Sequence, residues 1–316
     1  MLAMKSRIAL VLAMFFVGGC FEQSANDEEL EIAEQGTSSL GSCPTWKRIT
    51  LGTRAFDEIN EASGLAASRK NAGVLWTHDD SGDSARVFAM TTAGAHLGVY
   101  DVAGAGFIDW EDMGIALVDG AWHLFLADIG GNTPREDVQV YVFPEPDVSA
   151  TQAPLTKTVA GARRLDLHYP DGAHNAESIF VDPIDGALYV VTKSYDGLSQ
   201  VFMKSAPHLD GTTTTLTEVA QIDFSKAPLF TGDARTRLAA TGADISADGS
   251  ELLLKTKQVT FLWKRAPGTT IAQAFATAPC KVPNGIGEAI AFTPDGAHYV
   301  TTAEEAHSEV FLFERQ

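Results

Sequence analysis

Between residues 59 and 315 the chain repeats one pattern: a short apolar run, a turn containing glycine, and a second, more strongly apolar run. "GIALVDG" leads to "AWHLFLAD", "IFVDPIDG" leads to "ALYVVTK" and "IAFTPDG" leads to "AHYVTTAEE". Aspartate in such a turn accepts local backbone hydrogen bonds, and glycine accepts a positive φ. The flanking runs are rich in β-branched and aromatic residues, which favour half-buried strands. The pattern therefore predicts a series of antiparallel β-hairpins.

Each hairpin is followed by a third apolar segment and, before the next hairpin, by a fourth and more polar one. The third segments are "RVFAM", "VQVYVF", "QVFMK", "TFLWK" and "EVFLFE", and the fourth are "HLGVYDV", "RRLDLHY", "EVAQIDF" and "IAQAFAT". Repeated units of four antiparallel strands are typical of a β-propeller, an all-β fold. Five units predict five blades. The alternatives are a sixth, irregular blade within residues 137–176 or 205–240, or an open β-sandwich.

The two ends of this region are complementary. The chain ends after a third segment, "EVFLFERQ", and the region begins with a lone strand, "TWKRITLG" (45–52). That strand is predicted to complete the last blade and close the ring. Cys43 and Cys280 could pair in an exported protein. The repeat register puts them near opposite ends of outer strands, which argues against the disulfide.

One polar position also repeats. Four units place a glutamate just before the first apolar run, and the fifth has a threonine: Glu61, Glu111, Glu177, Glu288 and Thr241. The innermost strands of a propeller line its axis, so these residues are predicted to form one ring. Converging carboxylates must be protonated, paired or bound to a cation. Oxygen ligands favour Ca²⁺, whereas a purely structural ring would satisfy backbone N–H groups of neighbouring blades.

The loops after the second strands open on the same face as this ring. They carry the candidate catalytic residues Asp79, Asp128, Lys193, Lys255 and Arg135. An ionised carboxylate, Asp79 or Asp128, could act as a base, and the three basic groups could bind phosphate oxygens. Aspartate and glycine are also ordinary turn formers, so these loops have a purely structural interpretation as well.

The segments "EASGL", "WEDMG", "NAESI" and "GEAIAF" resemble those of calcium-activated nucleotidases (apyrases), which are five-bladed propellers with a central Ca²⁺. The resemblance implies that the five ring residues hold the metal. The chain also resembles, more closely, a group of uncharacterised bacterial exported propellers that contain "HDDSG", "DWED", "DIGGN" and "NAES". This second resemblance implies the fold and export without implying a reaction.

The N-terminus carries a different signal. Residues 1–20 combine basic residues, a short apolar run and "VGGC", which resembles the lipobox of bacterial lipoproteins. We therefore predict that Cys20 is lipidated and anchors the protein in the cell envelope. Phe21, in place of the aspartate that retains lipoproteins in the inner membrane, favours the outer membrane. An ordinary secretory signal is the alternative.

The rest of the chain divides into two parts. Residues 21–42 are acidic, then rich in Gly and Ser, and are predicted to form a flexible tether. Residues 43–316 are predicted to form one propeller domain. The formal net charge of −18 disfavours nucleic acid as a partner and suits a protein that binds cations.

Three functions fit these features. The first is a Ca²⁺-dependent hydrolase of phosphate esters or anhydrides, and the second is a non-catalytic lipoprotein whose metal is structural and whose exposed face binds a partner or an anionic small molecule. The third is a lactonase-like hydrolase, which would not need the basic residues because a lactone is neutral. If the lysines only pair with ring glutamates, the binding protein is favoured.

Overall fold

The repeated apolar segments form strands that pair, within each repeat, into one small antiparallel sheet. The structure is a computed structural model that describes residues 37–38, 41–131, 133–208, 211–224, 238–285 and 287–316. The described strands form five sheets of four or five strands and one two-stranded sheet. The five larger sheets are the blades of a five-bladed β-propeller, which confirms the predicted fold.

The first three strands belong to the N-terminal part of the described chain: β1 (Thr37–Ser38), β2 (Gly41–Ser42) and β3 (Trp46–Thr53). Blade 1 contains β4 (Ala62–Ala67), β5 (Val74–Asp79), β6 (Arg86–Thr91) and β7 (His96–Val102). Blade 2 contains β8 (Trp110–Val118), β9 (Ala121–Asp128), β10 (Asp137–Pro144) and β12 (Arg163–His168).

The other blades follow the same order from the axis outward. Blade 3 contains β13 (Ala176–Val181), β14 (Leu188–Thr192), β15 (Leu198–Lys204) and β17 (Thr217–Asp223). Blade 4 contains β18 (Ala240–Ile245), β19 (Glu251–Thr256), β20 (Thr260–Lys264) and β21 (Cys280–Val282). Blade 5 contains β22 (Ala289–Phe292), β23 (Tyr299–Thr302), β24 (Glu309–Arg315) and β3.

Residues 137–176 and 205–240, the alternative locations of a sixth blade, contain short edge strands instead. β11 (Leu155–Val159) pairs in parallel with β7, and β16 (Thr213–Thr215) pairs in parallel with β12. Each short strand pairs with the outer strand of an earlier blade and becomes the edge strand of that sheet. Residues 225–237 lie outside the described part of the chain.

The ring is closed by the N-terminal strand, as the sequence predicts. β3 pairs antiparallel with β24, and the register runs from Glu309↔Thr53 to Arg315↔Trp46. The last blade is therefore made from both ends of the propeller region. Because closure depends on a strand far away in sequence, the chain completes this blade only when its N-terminal segment has docked.

Two predictions about the outer part of blade 4 were wrong, one about its fourth strand and one about Cys280. "IAQAFAT", predicted to be its fourth strand, instead begins with a short helix, α1 (Ile271–Phe275). The Thr270 hydroxyl accepts a hydrogen bond from the Gln273 backbone N–H, and the Gln273 side chain accepts one from the Thr270 N–H. This reciprocal capping starts a helix. The outer strand is β21, which begins at Cys280.

This shift also explains why the expectation against a disulfide was wrong. Cys43, just before β3, and Cys280 form a disulfide with their Cα atoms 5.5 Å apart. β3 is the outer strand of blade 5 and β21 is the outer strand of blade 4. The bridge therefore joins two neighbouring blades next to the point of ring closure.

The hydrophobic core is divided among the blade interfaces. Five buried apolar clusters are found among the described residues, and each lies between two adjacent blades. Trp76 of blade 1 and Trp110 of blade 2, for example, belong to one cluster and are fully buried. The inner strands contact one another around the axis. This packing fixes where the starts of the inner strands meet.

The predicted signal peptide, with Cys20, lies outside the described residues, and so does most of the predicted tether. Within residues 21–42, β1 and β2 pair antiparallel. Among the residues that the structure describes, no helix has the length and apolarity needed to cross a membrane.

Candidate metal centre and adjoining cavity

The predicted ring residues sit at irregularities of the inner strands. In blades 2, 3 and 4 the register between the first and second strands skips one residue: Glu111, Glu177 and Thr241, respectively. A bulged residue does not take part in the regular ladder, and the bulge redirects its side chain. Glu288, in blade 5, directly precedes the first paired residue of β22.

Blade 1 follows the same register but with a different residue. Ala62 pairs with Asp79 as Trp110 pairs with Asp128, so the residue equivalent to Glu111 is Ser63. Ser63 is fully buried, and its hydroxyl donates a hydrogen bond to the main-chain oxygen of Glu111. The structure thus places Ser63 at the ring position and Glu61, two residues earlier, at an exposed position.

Three of the predicted glutamates converge. Carboxylate oxygens of Glu111, Glu177 and Glu288 lie within 4.8 Å of one another, and all three residues are buried. We call them the ring group. Glu111 also belongs to a second cluster with the same spacing, formed with Asp80 and Asp109, which we call the rim group. Asp80 lies in the loop after β5, which the sequence places on this face, and Asp109 directly precedes β8; neither is among the predicted site residues.

Burial makes it costly for these carboxylates to carry charge. It is the main cause that raises the pKa of Glu177 to about 7 and the pKa of Asp80 to about 8. Burial and the nearby acids raise the pKa of Glu111 well above its usual value, and burial also raises that of Glu288. The cluster therefore favours bound protons or a cation near neutral pH.

Two lysines offset part of this charge. Lys193 forms an ion pair with Glu177 through Oε1. Lys257 lies 3.0 Å from Glu288 Oε1 and 3.0 Å from Glu304 Oε1. Oε2 of Glu177 is buried and has no hydrogen-bond partner among the residues that the structure describes. A buried carboxylate oxygen without a partner is costly, and a cation would satisfy it.

Lys255 has a different environment from Lys193. Its Nζ donates to Asn284 Oδ1 at 2.7 Å and to the Gly285 carbonyl at 2.6 Å. Burial lowers the pKa of Lys255 to about 7, although Glu288 opposes the shift. Its hydrogen bonds hold the loop before Glu288, and it does not line the cavity beside the ring group.

The carboxylates of the two predicted bases, Asp79 and Asp128, are also engaged in hydrogen bonds within the protein. Asp128 accepts hydrogen bonds from the backbone N–H groups of Ile108 and Asp109 and is paired with Arg135 at 2.9 Å. Arg135 also donates to the Gly130 carbonyl at 2.7 Å. These contacts hold the segment that leads into β8 and the loop that follows β9 in place.

Asp79 has the equivalent role in blade 1. It accepts a hydrogen bond from the Glu61 backbone N–H at 3.2 Å, and burial raises its pKa to about 6. Neither Asp79 nor Asp128 lines the cavity. Both are strand-end residues that bind the segment entering the inner strand, which is why they recur in the same loop position.

A polar cavity of about 690 Å³ opens beside the ring group. Its walls come from blades 1, 2 and 3. They include four acids of the two groups, Asp80, Asp109, Glu111 and Glu177, and the predicted residue Lys193. They also include residues without a predicted role: His174, Asn175, Tyr195 and Gln200. Of the predicted catalytic residues, Lys193 alone lies on this wall. The cavity can accept a polar ligand next to the carboxylates.

His174 is the residue in this wall that the sequence interpretation missed most clearly. Its Nε2 lies 2.9 Å from Asp171 Oδ1, and Gln200 donates to the other Asp171 oxygen at 2.8 Å. The imidazole is mostly buried and packs edge-on against Tyr169. A histidine whose ring is held by a carboxylate is a candidate general base. The available signal was its position, three residues before Glu177.

The "DIGGN" loop makes room for Glu111. A Cβ atom on Gly130 would lie 1.8 Å from Glu111 Oε1, which no side chain at that position could avoid. The loop backbone therefore lies directly against the carboxylate. Glycine fits here because it lets the backbone approach the carboxylate closely.

No family model and no curated protein matches the chain. Among solved structures, the chain is similar to one from "Crystal Structure of Mitotic Checkpoint Complex", with 13% sequence identity and a TM-score of 0.36. The match covers 79% of this chain and 62% of that chain, so this chain spans less than two thirds of that protein's length.

Proposed function

We propose that this chain is an exported, lipid-anchored β-propeller that binds Ca²⁺ on its axis and hydrolyses phosphate esters or anhydrides in the adjoining cavity. One observation carries the proposal: three buried glutamates from three blades converge within 4.8 Å beside a polar cavity. Buried acids at such spacing are stable only when they are neutralised. The anchor rests on "VGGC" at Cys20.

The donor set fits calcium. The ring group offers carboxylate oxygens alone, and the equivalent positions of the other two blades carry hydroxyls, Ser63 and Thr241. Hard oxygen ligands in a roomy arrangement are those that Ca²⁺ prefers. The buried Oε2 of Glu177, which has no hydrogen-bond partner among the described residues, supports a cation at this point. When bound, the ion would polarise a phosphoryl oxygen.

Residues of the chain itself would bind the phosphate and accept the proton of the attacking water. Lys193 lies in the cavity wall and could donate to a phosphate oxygen, with its Nζ already held beside Glu177. His174, oriented by Asp171, would take a proton from the attacking water. We assign the base to His174 because the carboxylates of Asp79 and Asp128 are engaged by backbone N–H groups.

A specific observation also favours the non-catalytic alternative. Lys193 pairs with Glu177, Lys257 pairs with Glu288, and Arg135 pairs with Asp128, so the basic groups have internal partners. In that case the metal would stabilise the ring, and the cavity would bind an anionic small molecule or a partner without reaction. Lys193 would then be a ligand-binding residue.

Phosphatase and nucleotidase assays separate the two. The mature protein would be tested on p-nitrophenyl phosphate, pyrophosphate and nucleoside triphosphates, with Ca²⁺ or with EDTA. We expect calcium-dependent hydrolysis that falls by about 10²-fold or more in His174→Gln. His168→Gln is the matched control, because His168 also lies 2.9 Å from an aspartate, Asp137, but outside the cavity. Calcium binding without any turnover would identify a binding protein.

The anchor has an independent test. Palmitate labelling of cells that express the full chain should label the wild type and not Cys20→Ala. Equal labelling of both would exclude a lipoprotein and leave an ordinary secretory signal.

A further inference from the structure

The rim group differs from the ring group in its charge balance. Two of the three ring glutamates are paired with lysines, whereas Asp80 and Asp109 have no ion pair with any residue that the structure describes. The two carboxyls lie within hydrogen-bonding reach of each other. Oδ1 of Asp80 is buried and has no hydrogen-bond partner in the described part of the chain. Two adjacent acids in this state need a positive charge between them.

Glu111, which lies in both groups, also lacks a compensating positive charge among the described residues. It is only 4% exposed, and its carboxylate accepts no hydrogen bond from the described residues. Gly130 lies against it and fixes its position. Glu111 is also the one residue shared by the two groups. One divalent ion among the ring glutamates would leave Asp80 and Asp109 without compensation.

We propose that Asp80, Asp109 and Glu111 form a second divalent-cation site, with Glu111 as a ligand shared with the axial site. The inference rests on the proposed function and deepens it. The ligands are carboxylate oxygens, so the ion is a hard cation such as Ca²⁺. Asp80 and Asp109 line the cavity, and paired ions are well suited to hold a phosphoryl group and its attacking water.

Calcium stoichiometry tests the second site directly. Calcium-depleted mature protein would be titrated with CaCl₂ by isothermal titration calorimetry, and the bound metal counted after equilibrium dialysis. We expect two equivalents for the wild type and one for the Asp80→Asn/Asp109→Asn double variant. Asp109→Asn alone should bind its second ion at least tenfold more weakly. Circular dichroism would show that each variant is folded.

A control in the same loop sharpens the result. Asp83 is paired with Arg86 and lies outside both groups, so Asp83→Asn should still bind two equivalents. Glu177→Gln should weaken the axial site and keep the rim site. A single equivalent in the wild type, or two undiminished equivalents in the double variant, would overturn the second site and indicate that Asp80 and Asp109 share a proton.

The outcomes for the second site and for the proposed function are distinguishable. Two bound ions without turnover would retain the second site and remove the hydrolase. One bound ion with turnover would retain the hydrolase and remove the second site. Binding of no calcium by any variant would remove both.

Discussion

Glu111 and Asp112 are neighbours on β8, both are buried, and their carboxylates have opposite environments. Asp112 is 1% exposed and accepts three backbone hydrogen bonds, from Met113 at 2.8 Å, Ile179 at 2.9 Å and Ala243 at 3.2 Å. Glu111 is 4% exposed and accepts none from the described residues. One carboxylate ties three inner strands together, and the other faces a cavity.

The difference shows how to separate structural acids from ligand-binding ones. Asp244 resembles Asp112, because it accepts backbone hydrogen bonds from Ile245 and Phe292. A buried acid that accepts backbone N–H groups has part of its desolvation offset inside the protein, although burial still raises the pKa of Asp112 well above its usual value. Glu111 has no such compensation, which points to a ligand from outside. The two interpretations of the acidic positions that the sequence allows therefore apply to different residues: Asp112 and Asp244 accept backbone N–H groups, and Glu111 accepts none from the described residues.

The largest expected effect contrasts these neighbours. Asp112→Ala removes the acceptor for three buried N–H groups in three blades, so we expect it to cost about 3 kcal/mol or more. Urea unfolding in EDTA measures the loss. Glu111→Ala is the matched variant and should lose far less, because it removes a buried charge that lacks a partner. Equal losses in the two variants would show that the contrast is wrong.

The second effect concerns calcium. Ca²⁺ at a hundredfold excess over its dissociation constant should stabilise the protein by about 2.7 kcal/mol for each occupied site. Thermal unfolding with and without EDTA measures this gain. Glu177→Gln should fold and show a smaller gain, whereas Asp244→Asn, at a buried acid that accepts backbone N–H groups, should keep the wild-type gain. An unchanged midpoint on adding Ca²⁺ to the wild type would rule out the axial site.

The smallest effect is a pH dependence. The folded-state pKa of Glu177 is raised from 4.5 to about 7 and that of Asp80 from 3.8 to about 8, mainly by burial. Protons bound by these groups stabilise the folded protein at low pH, and that contribution is lost as the pH rises through 7 and 8. We therefore expect the calcium-free protein to lose stability between pH 6 and 8.

Calcium and the Glu177→Gln variant provide the comparison for this pH effect. Ca²⁺ competes with protons for the same oxygens, so its stabilisation should increase from pH 6 to pH 8. Glu177→Gln should show a flatter pH profile without calcium, because one titrating group is absent. Chemical unfolding at several pH values measures both. A calcium-free wild type that becomes more stable over this interval would contradict the assignment.

The repeated strand pattern was sufficient to predict the propeller, its five blades and its closure by β3. Short apolar runs and glycine turns are local features, so they can be recognised in each repeat separately. The register of Glu111, Glu177, Glu288 and Thr241 also follows from counting along each hairpin. The prediction of a carboxylate ring was therefore available before any contact between blades was known.

Tertiary structure decided the features that depend on contacts between blades. Ser63 replaces Glu61 at the ring position because the blade 1 bulge is set by pairing with β5, which apolar spacing does not reveal. Cys43 meets Cys280 because α1 displaces the outer strand of blade 4.

Contacts between blades also decided the environment of each buried carboxylate. Asp112 accepts N–H groups from β13 and β18 as well as from its own strand, and Glu111 accepts none from the described residues, although the two residues are adjacent in sequence. Sequence determines where a charged side chain is placed along its strand. Whether burial is compensated depends on donors from other blades, and these become neighbours only when the ring closes.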